Sequence, residues 1–284
     1  MSKTKEVRAA AIQWDVQRGD TGANLAEAER LILEAHEDDA RIVVLPELWT
    51  TSFVGDDVAA HRGAIDDAER KLAQMSGDLD LVATGSSYEI DADGRVYNTA
   101  TVWEDGNVLG RYRKAHLFSP HGEDRMFSPG ESPLVVDTKF GRAAIAICYD
   151  LRFPELIREL ALTEALMLLV PAQWPEPRER HWNVLSRARA IEEQWFVIGT
   201  NRCGVEPSLM SDQDITYPGN SLIVSPTGEV LAEGDGEPRV VAADLRLKEC
   251  SIIRRAIPVY RDRRPDFYAR VHDELTGMRP VPSE

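Results

Sequence analysis

The feature that most restricts the fold of this chain is the run Arg41-Ile42-Val43-Val44-Leu45, which ends abruptly at Pro46-Glu47. Short, uninterrupted apolar runs belong to strands buried on both faces, as in sheets covered by helices. Residues 7–13 alternate and branch like another strand, and Asn24 opens a helical stretch with Leu25, Ala28, Leu31, Ile32 and Ala35 on one face. A weaker helix is expected over 66–75, followed by a strand over 79–85. Two hairpins follow: 97–103 with 108–112 around Glu104-Asp105-Gly106-Asn107, and 134–137 with 142–147 across Lys139-Phe140-Gly141. Next come a helix after Pro154, a strand over 165–170, a long helix over 178–194 and a strand over 195–200. Strands return at 220–224, 229–233 and 240–245, with the turn Ser225-Pro226-Thr227-Gly228 between the first two. Strands alternating with helices, interrupted by antiparallel hairpins, imply α/β architecture with mixed sheets. The sequence has neither an internal repeat nor a Pro/Gly/Ser linker, so residues 1–284 are expected to form a single domain, long enough for a sizeable core.

Composition narrows the function classes. The chain is 43% hydrophobic and 29% charged, in the range of globular domains. A net charge of −15 repels nucleic acid and anionic membrane alike. No apolar run approaches the roughly 20 residues of a spanning helix; the longest, 161–172, contains Thr163 and Glu164. Met1-Ser2-Lys3-Thr4-Lys5-Glu6 lacks the apolar core of a signal peptide, which makes the cytoplasm the expected compartment. Three widely spaced cysteines, with no CxxC pair, fit neither a disulfide framework nor a structural zinc site. Six lysines stand against twenty-seven arginines, a bias that fits either a salt-rich cytoplasm or high-GC codon usage.

Among candidate reactive groups, Cys148 comes first. It follows the buried-strand pattern Ala143-Ala144-Ile145-Ala146-Ile147, and Pro154 after it suits a first helical turn. Cys148 is therefore expected on a strand-to-helix elbow, at the strand end where open α/β sheets bind ligands. Backbone N–H groups just beyond it can face a developing oxyanion. Nearby positive charge would lower the thiol pKa. A buried structural cysteine is the plainer reading, and Cys203 and Cys250 keep it. Glu47, flanked by large hydrophobes, is expected to be partly desolvated, with its pKa raised toward the range of a general base. Lys114 directly follows a hairpin strand; buried beside a thiolate and a carboxylate it would stay charged and stabilise an oxyanion. Glu123 offers a second carboxylate to orient Lys114 or an attacking water. Singly, Glu47, Lys114 and Glu123 read equally as solvated surface residues. His116, His121 and His181 are set aside as partners of a papain-like Cys-His pair, since a supporting hydrogen bond, a loop and a helix start account for them.

Taken together, Pro46-Glu47-Leu48, Arg113-Lys114-Ala115-His116-Leu117-Phe118 and Ile147-Cys148-Tyr149-Asp150-Leu151-Arg152-Phe153-Pro154-Glu155 resemble, in order and spacing, the Glu, Lys and Cys signatures of the nitrilase superfamily of carbon–nitrogen hydrolases. Glu-x-x-x-Phe-x-Pro-Gly from Glu123 to Gly130 resembles the accessory-glutamate block of that family. Ala172-Gln173-Trp174-Pro175, His181-Trp182, the stretch 187–192, Asn220-Ser221 and Arg264-Pro265-Asp266-Phe267-Tyr268 match further blocks, so the similarity spans nearly the whole chain. The wording after the cysteine is most similar to the omega-amidase and deaminated-glutathione-amidase branch. Pro218 and Trp195 depart from that branch, which implies an altered acyl pocket.

The resemblance implies a four-layer α-β-β-α sandwich, with residues 251–284 a C-terminal extension at the interface of a homodimer or larger assembly. It implies a nucleophile at Cys148, a general base and acid at Glu47, oxyanion stabilisation by Lys114, an accessory carboxylate at Glu123, and no metal or organic cofactor. Tyr149, Arg152, Gln173 and Trp174 are the implied substrate-binding residues. By their own chemistry Trp174 and Phe53 read as pocket walls or equally as ordinary core, and Arg152 or Arg178 as a fork for a carboxylate; Arg152 could equally pair with Glu155 or Asp150. The implied substrate is a small anionic amide such as an omega-amide of a 2-oxo acid. A nitrilase, an N-carbamoyl hydrolase, or a catalytically idle binding or scaffold member are the alternatives.

Overall fold

A computed structural model describes residues 6–276. The first five residues, where the signal-peptide reading falls, and residues 277–284 of the expected extension lie outside the described residues. In chain order the elements are β1 (Glu6–Gln13), α1 (Thr21–Glu37), β2 (Ala40–Val44), α2 (Val58–Asp78), β3 (Val82–Ile90), β4 (Val96–Glu104) and β5 (Asn107–Arg113). There follow α3 (Glu123–Met126), β6 (Val135–Thr138), β7 (Gly141–Ile145), α4 (Pro154–Ala161), β8 (Met167–Ala172), α5 (Glu179–Glu193) and β9 (Phe196–Asn201). The last third holds β10 (Cys203–Pro207), β11 (Asp214–Pro218), β12 (Leu222–Val224), β13 (Val230–Glu233), β14 (Arg239–Arg246), α6 (Lys248–Ala256) and α7 (Pro265–Thr276).

Two six-stranded sheets, ordered β14-β1-β2-β3-β4-β5 and β13-β12-β9-β8-β7-β6, pack face to face. Each has a parallel centre, β1-β2-β3 in one and β7-β8-β9 in the other, with antiparallel strands added outside. The side chains show why both faces are apolar. Val7, Ala9 and Ala11 of β1 and Ile42 and Val44 of β2 point into the core between the sheets. The alternate residues Ala10, Ile12 and Val43 face the other way, against Ala28, Leu31 and Ile32 of α1 and Ala68 and Leu72 of α2. Helices α4 and α5 cover the second sheet, completing the expected four-layer α-β-β-α sandwich.

Several boundaries differ from the sequence expectation. Helix α1 starts at Thr21, because Asp20 accepts a hydrogen bond from the Ala23 amide at 3.0 Å and caps the end. Asn24, expected to open the helix, is buried inside it and ties Gln17 and Thr50 together through their carbonyls. Helix α2 runs twenty-one residues rather than ten; Val58, Ile65, Ala68, Leu72 and Met75 give it a buried stripe that its many acidic residues obscured. It reaches Asp78 and displaces the strand expected at 79–85 to Val82–Ile90. The hairpin of β10 and β11 was not expected, since Gly204 and Pro207 within Cys-Gly-Val-Glu-Pro both argue against a strand.

The segment from Glu123 to Gly130 is laid directly on the main chain that carries Lys114. Gly130 donates its amide to the Lys114 carbonyl at 2.9 Å. A Cβ there would stand 2.1 Å from the Arg113 carbonyl oxygen. Glycine thus closes the Glu-x-x-x-Phe-x-Pro-Gly block because two backbones touch. Replacing Gly130 with Ala is expected to destabilise the protein by about 1–3 kcal/mol, read as a lowered denaturation midpoint, with loss of activity as the Lys114 segment moves; an unchanged midpoint would contradict this packing.

Candidate active site

Four segments converge at the carboxyl-end edges of the two sheets. Glu47 lies three residues past β2, Lys114 one past β5, Cys148 three past β7 and Gln173 one past β8. The Glu47 amide donates to the Ala172 carbonyl at 3.4 Å, and the Lys114 amide to the Asn98 carbonyl at 2.8 Å. Leu48 and Cys148 both have φ of 45°, left-handed values that a residue with a side chain adopts at a cost. Each thereby turns the chain sharply at the point where a reactive group is displayed.

Buried Lys114 places Nζ 2.7 Å from Glu47 Oε1 and 2.8 Å from Glu123 Oε2. Burial alone would lower the Lys114 pKa, but Glu123 and Glu47 outweigh it and hold the ammonium well above its ordinary value. Burial pushes the Glu47 carboxyl up despite the opposing ammonium. Its oxygens are fully engaged: Asn98 Nδ2 donates to Oε1 at 2.8 Å, and the Gln173 amide to Oε2 at 3.0 Å. Cys148 lies close enough to this carboxylate for each group to shift the pKa of the other. Its thiol departs from the expectation of a lowered pKa. Burial and the negative Glu47 raise it well above the ordinary value, and Lys114 only partly offsets them. The cluster as a whole holds two carboxylates against one ammonium, so it favours the neutral thiol.

The elbow itself rests on Asp150, fully buried behind Cys148. Asp150 accepts from the Ile147 amide at 2.9 Å, Tyr112 Oη at 2.8 Å, the His116 amide at 3.1 Å and His116 Nδ1 at 2.8 Å. A carboxylate can only accept, so the His116 tautomer carries its proton on Nδ1. His116 also stacks on Phe153 with ring centroids 3.6 Å apart. Asp150 and Asn98 are the residues that sequence reasoning passed over. Asp150 stood in the cysteine block only as an alternative partner for Arg152; Asn98, inside a strand, gave no signal.

A narrow cleft opens over Cys148, bounded by Phe118, His121, Tyr149, Arg152, Trp174 and Arg178. Trp174 is pinned by its amide to Asn201 Oδ1 at 2.6 Å and by its indole N–H to the Arg178 carbonyl at 2.7 Å. Arg152 pairs with neither Asp150 nor Glu155; it lies 4.6 Å from the Trp174 ring centre and 3.2 Å from His181 Nδ1. Gln173 borders the cleft, but its side-chain amide is committed to protein groups: Nε2 to the Glu47 carbonyl at 2.7 Å, Oε1 to Ser52 and Arg202 at 3.2 Å each. Phe53 is not a wall of this cleft; it lines an adjoining cavity on the far side of His121. Pro218 lies in β11 and Trp195 deep in the second-sheet core, so neither shapes the space over Cys148. Burial raises Cys203 to about 12 and Cys250 to about 11. Among the described residues no three His, Cys, Asp or Glu side chains are arranged to hold a metal ion, and no helix is long and apolar enough to cross a membrane.

Two mixed sheets between helical layers, with a thiol, a carboxylate and an ammonium gathered at their edges, are the arrangement of a hydrolase of the nitrilase fold. The chain belongs to the carbon-nitrogen hydrolase family, whose profile matches residues 8–255, and it is an enzyme acting on non-peptide carbon–nitrogen bonds. It is 36% identical over 263 residues to a 2-oxoglutaramate amidase of Bacillus subtilis, covering 91% of this chain and 98% of that protein. It is 33% identical over 258 residues to an omega-amidase of Homo sapiens, covering 87% and 91%. Among solved structures, a carbon-nitrogen hydrolase from Helicobacter pylori superposes with a TM-score of 0.88 at 26% identity, covering 94% of this chain and 98% of that one. A mutant amidase from Nesterenkonia sp. AN1, with the acetamide moiety of fluoroacetamide added covalently at its active-site cysteine, superposes at 0.82 and 26% identity, covering 94% and 97%. These relatives support amide hydrolysis.

Replacing Asp150 with Asn is expected to lower both stability and activity. All four groups around the carboxylate are donors, and an amide nitrogen would oppose at least one of them. The expected loss is about 1–3 kcal/mol, measured by denaturant unfolding; a variant as stable and active as the parent would remove Asp150 from its place as the keystone of the elbow.

Proposed function

We propose that this protein hydrolyses a small anionic amide, an omega-amide of a 2-oxo acid, to the carboxylic acid and ammonia through a Cys148 thioester. The observation that carries the chemistry is the surroundings of Glu47: one buried carboxylate meets the Lys114 ammonium at 2.7 Å and lies near enough to Cys148 for the two to shift one another's pKa.

Glu47 takes the proton from Cys148 Sγ as the sulfur attacks the amide carbonyl carbon. The oxyanion forms against Lys114 Nζ and the Tyr149 amide, which stands at the start of a helical turn where N–H groups lack carbonyl partners. The proton on Glu47 passes to the leaving nitrogen, ammonia departs and the thioester remains. Glu47 then takes a proton from water, hydroxide oxygen adds to the thioester carbon, and the acid leaves as the thiol regains its proton. Glu123, bonded to Lys114 Nζ, keeps the ammonium in place.

The substrate reading rests on the cleft mouth. The chain carries a net charge of −15, yet among the described residues neither Arg152 nor Arg178 has a carboxylate partner. Both guanidinium groups lie over aromatic rings, Arg178 at 5.2 Å from the Phe118 centre. Two uncompensated forks beside a reactive thiol suit a substrate carboxylate. The names of the Bacillus and human relatives agree with this class. We also propose one hydrolase domain that self-associates, supported by exposed Val184 and Ile191 on α5 and Ile252, Phe267 and Tyr268 near the C-terminus.

The pH dependence follows from the burial of Glu47. Its carboxyl is raised, and the base must be ionised, so kcat/KM should rise with pH through an apparent pKa above the ordinary glutamate value of about 4.3, belonging to the coupled cluster. Glu47→Gln should remove turnover; full turnover in that variant would overturn the mechanism. For the substrate, ammonia release is expected from 2-oxoglutaramate or 2-oxosuccinamate in preference to neutral amides, nitriles and N-carbamoyl amino acids. Arg178→Met should raise KM for the anionic amides about 10-fold or more while sparing neutral ones, the scale of a lost charged hydrogen bond. Turnover confined to nitriles or carbamoyl compounds would sink the substrate assignment and leave the nucleophile standing.

A further inference from the structure

Behind the reactive cluster lies a second buried set of charges that the reaction does not use. Arg202, just past β9, is fully buried with every face of its guanidinium occupied. Nη2 meets Asp15 Oδ1 at 2.7 Å, and Nη1 meets Glu206 Oε2 at 2.9 Å, Ser52 Oγ at 3.0 Å and Gln173 Oε1 at 3.2 Å. Nε donates to the Cys203 carbonyl at 3.2 Å, and the plane lies 4.4 Å from the Tyr217 ring centre. Glu206 is further held by Arg18 at 3.1 Å and by Tyr217 Oη at 3.2 Å. Buried ion clusters are an inefficient source of stability compared with apolar packing, which leaves geometry as their use.

That geometry leads to the base. The Gln173 amide has two ends, and the Arg202 guanidinium, which can only donate, fixes Oε1 toward itself at 3.2 Å, while the single Ser52 proton lies nearer to Glu206 Oε2 at 2.9 Å. Nε2 is thereby turned to the Glu47 carbonyl at 2.7 Å, while the Gln173 main-chain N–H reaches Glu47 Oε2 at 3.0 Å. One residue thus grips both the backbone and the carboxylate of Glu47. We propose that Arg202 is a positioning residue, aligning the Glu47 carboxylate with Cys148 by locking the side-chain amide of Gln173. The proposal rests on Glu47 being the base. A guanidinium suits the task because its fork reaches Asp15, Ser52 and Gln173 together, where the single ammonium of lysine cannot.

The test compares Arg202→Lys, Gln173→Met and the double variant, with Glu47→Gln as reference. Each single variant is expected to lower kcat roughly 10- to 100-fold, the scale of a slightly misplaced catalytic group, with KM within about 2-fold since the cleft walls stay in place. The Gln173 N–H bond favours the ionised Glu47, so loosening it should also move the acid limb of kcat/KM to higher pH. The double variant should lose no more than Gln173→Met alone, because the two act in series. Should Arg202→Lys fail to fold, Asp15→Asn keeps the size of the partner and releases Nη2, and the same kcat and acid-limb changes are expected. Parental kcat and pH profile in Gln173→Met, or in the folded variant of the Arg202 pair, would overturn the proposal, as would losses that multiply in the double variant. If Glu47→Gln is inactive while these variants behave as the parent, only the positioning role falls. If Glu47→Gln is itself fully active, the reaction scheme falls with it.

Discussion

The architecture turns on one buried contact, the Lys114 ammonium held between Glu47 and Glu123. An ammonium and two carboxylates removed from water impose a desolvation cost of several kcal/mol for each ion. They persist there only because backbone amides and Asn98 complete their hydrogen bonding. That requirement dictates much else: the strap from Glu123 to Gly130 laid on the Lys114 backbone, the carbonyl of Asn98 holding the Lys114 amide, and the Gln173 amide reaching across from the second sheet. The two sheets are joined at their edges by this polar cluster as well as by the apolar core between their faces.

Sheet order explains how residues 47, 114, 148 and 173 come together. Parallel neighbours such as β2 and β3, or β7 and β8, end on the same side, so the loops that follow them open onto a common edge. Face-to-face packing then sets the edge of one sheet against that of the other. A sharp left-handed residue at Leu48 and another at Cys148 bend the chain back as soon as it emerges, keeping these groups deep rather than at loop tips.

Much of this was legible in the sequence, and the reasons are local. Strands buried on both faces announce themselves as short apolar runs, and both hairpins around Asp105-Gly106 and Phe140-Gly141 carried turn residues. Glu47, Lys114, Cys148 and Glu123 stood in recognisable wording. What stayed hidden were residues whose significance lies in three-dimensional partners. Asn98 looks like any strand asparagine. Arg202 looks like one arginine among twenty-seven. Gln173 was taken for a substrate contact because it adjoins the cleft, whereas its amide serves the protein. The thiol pKa was misjudged for a related reason: lysine was weighed as a neighbour, but burial and the second carboxylate decide the balance.

That balance bears on how such a protein survives in a cell. A sulfur kept as a neutral thiol is a poor target for peroxides, disulfides and stray electrophiles, all of which react with the anion. In the proposed mechanism Cys148 would combine a nucleophilic role with chemical quiet, its activation tied to the moment an acyl carbon arrives beside it. Enzymes that keep a standing thiolate face oxidative inactivation between turnovers. Under that mechanism the same crowding of carboxylates that raises the thiol would also guard it.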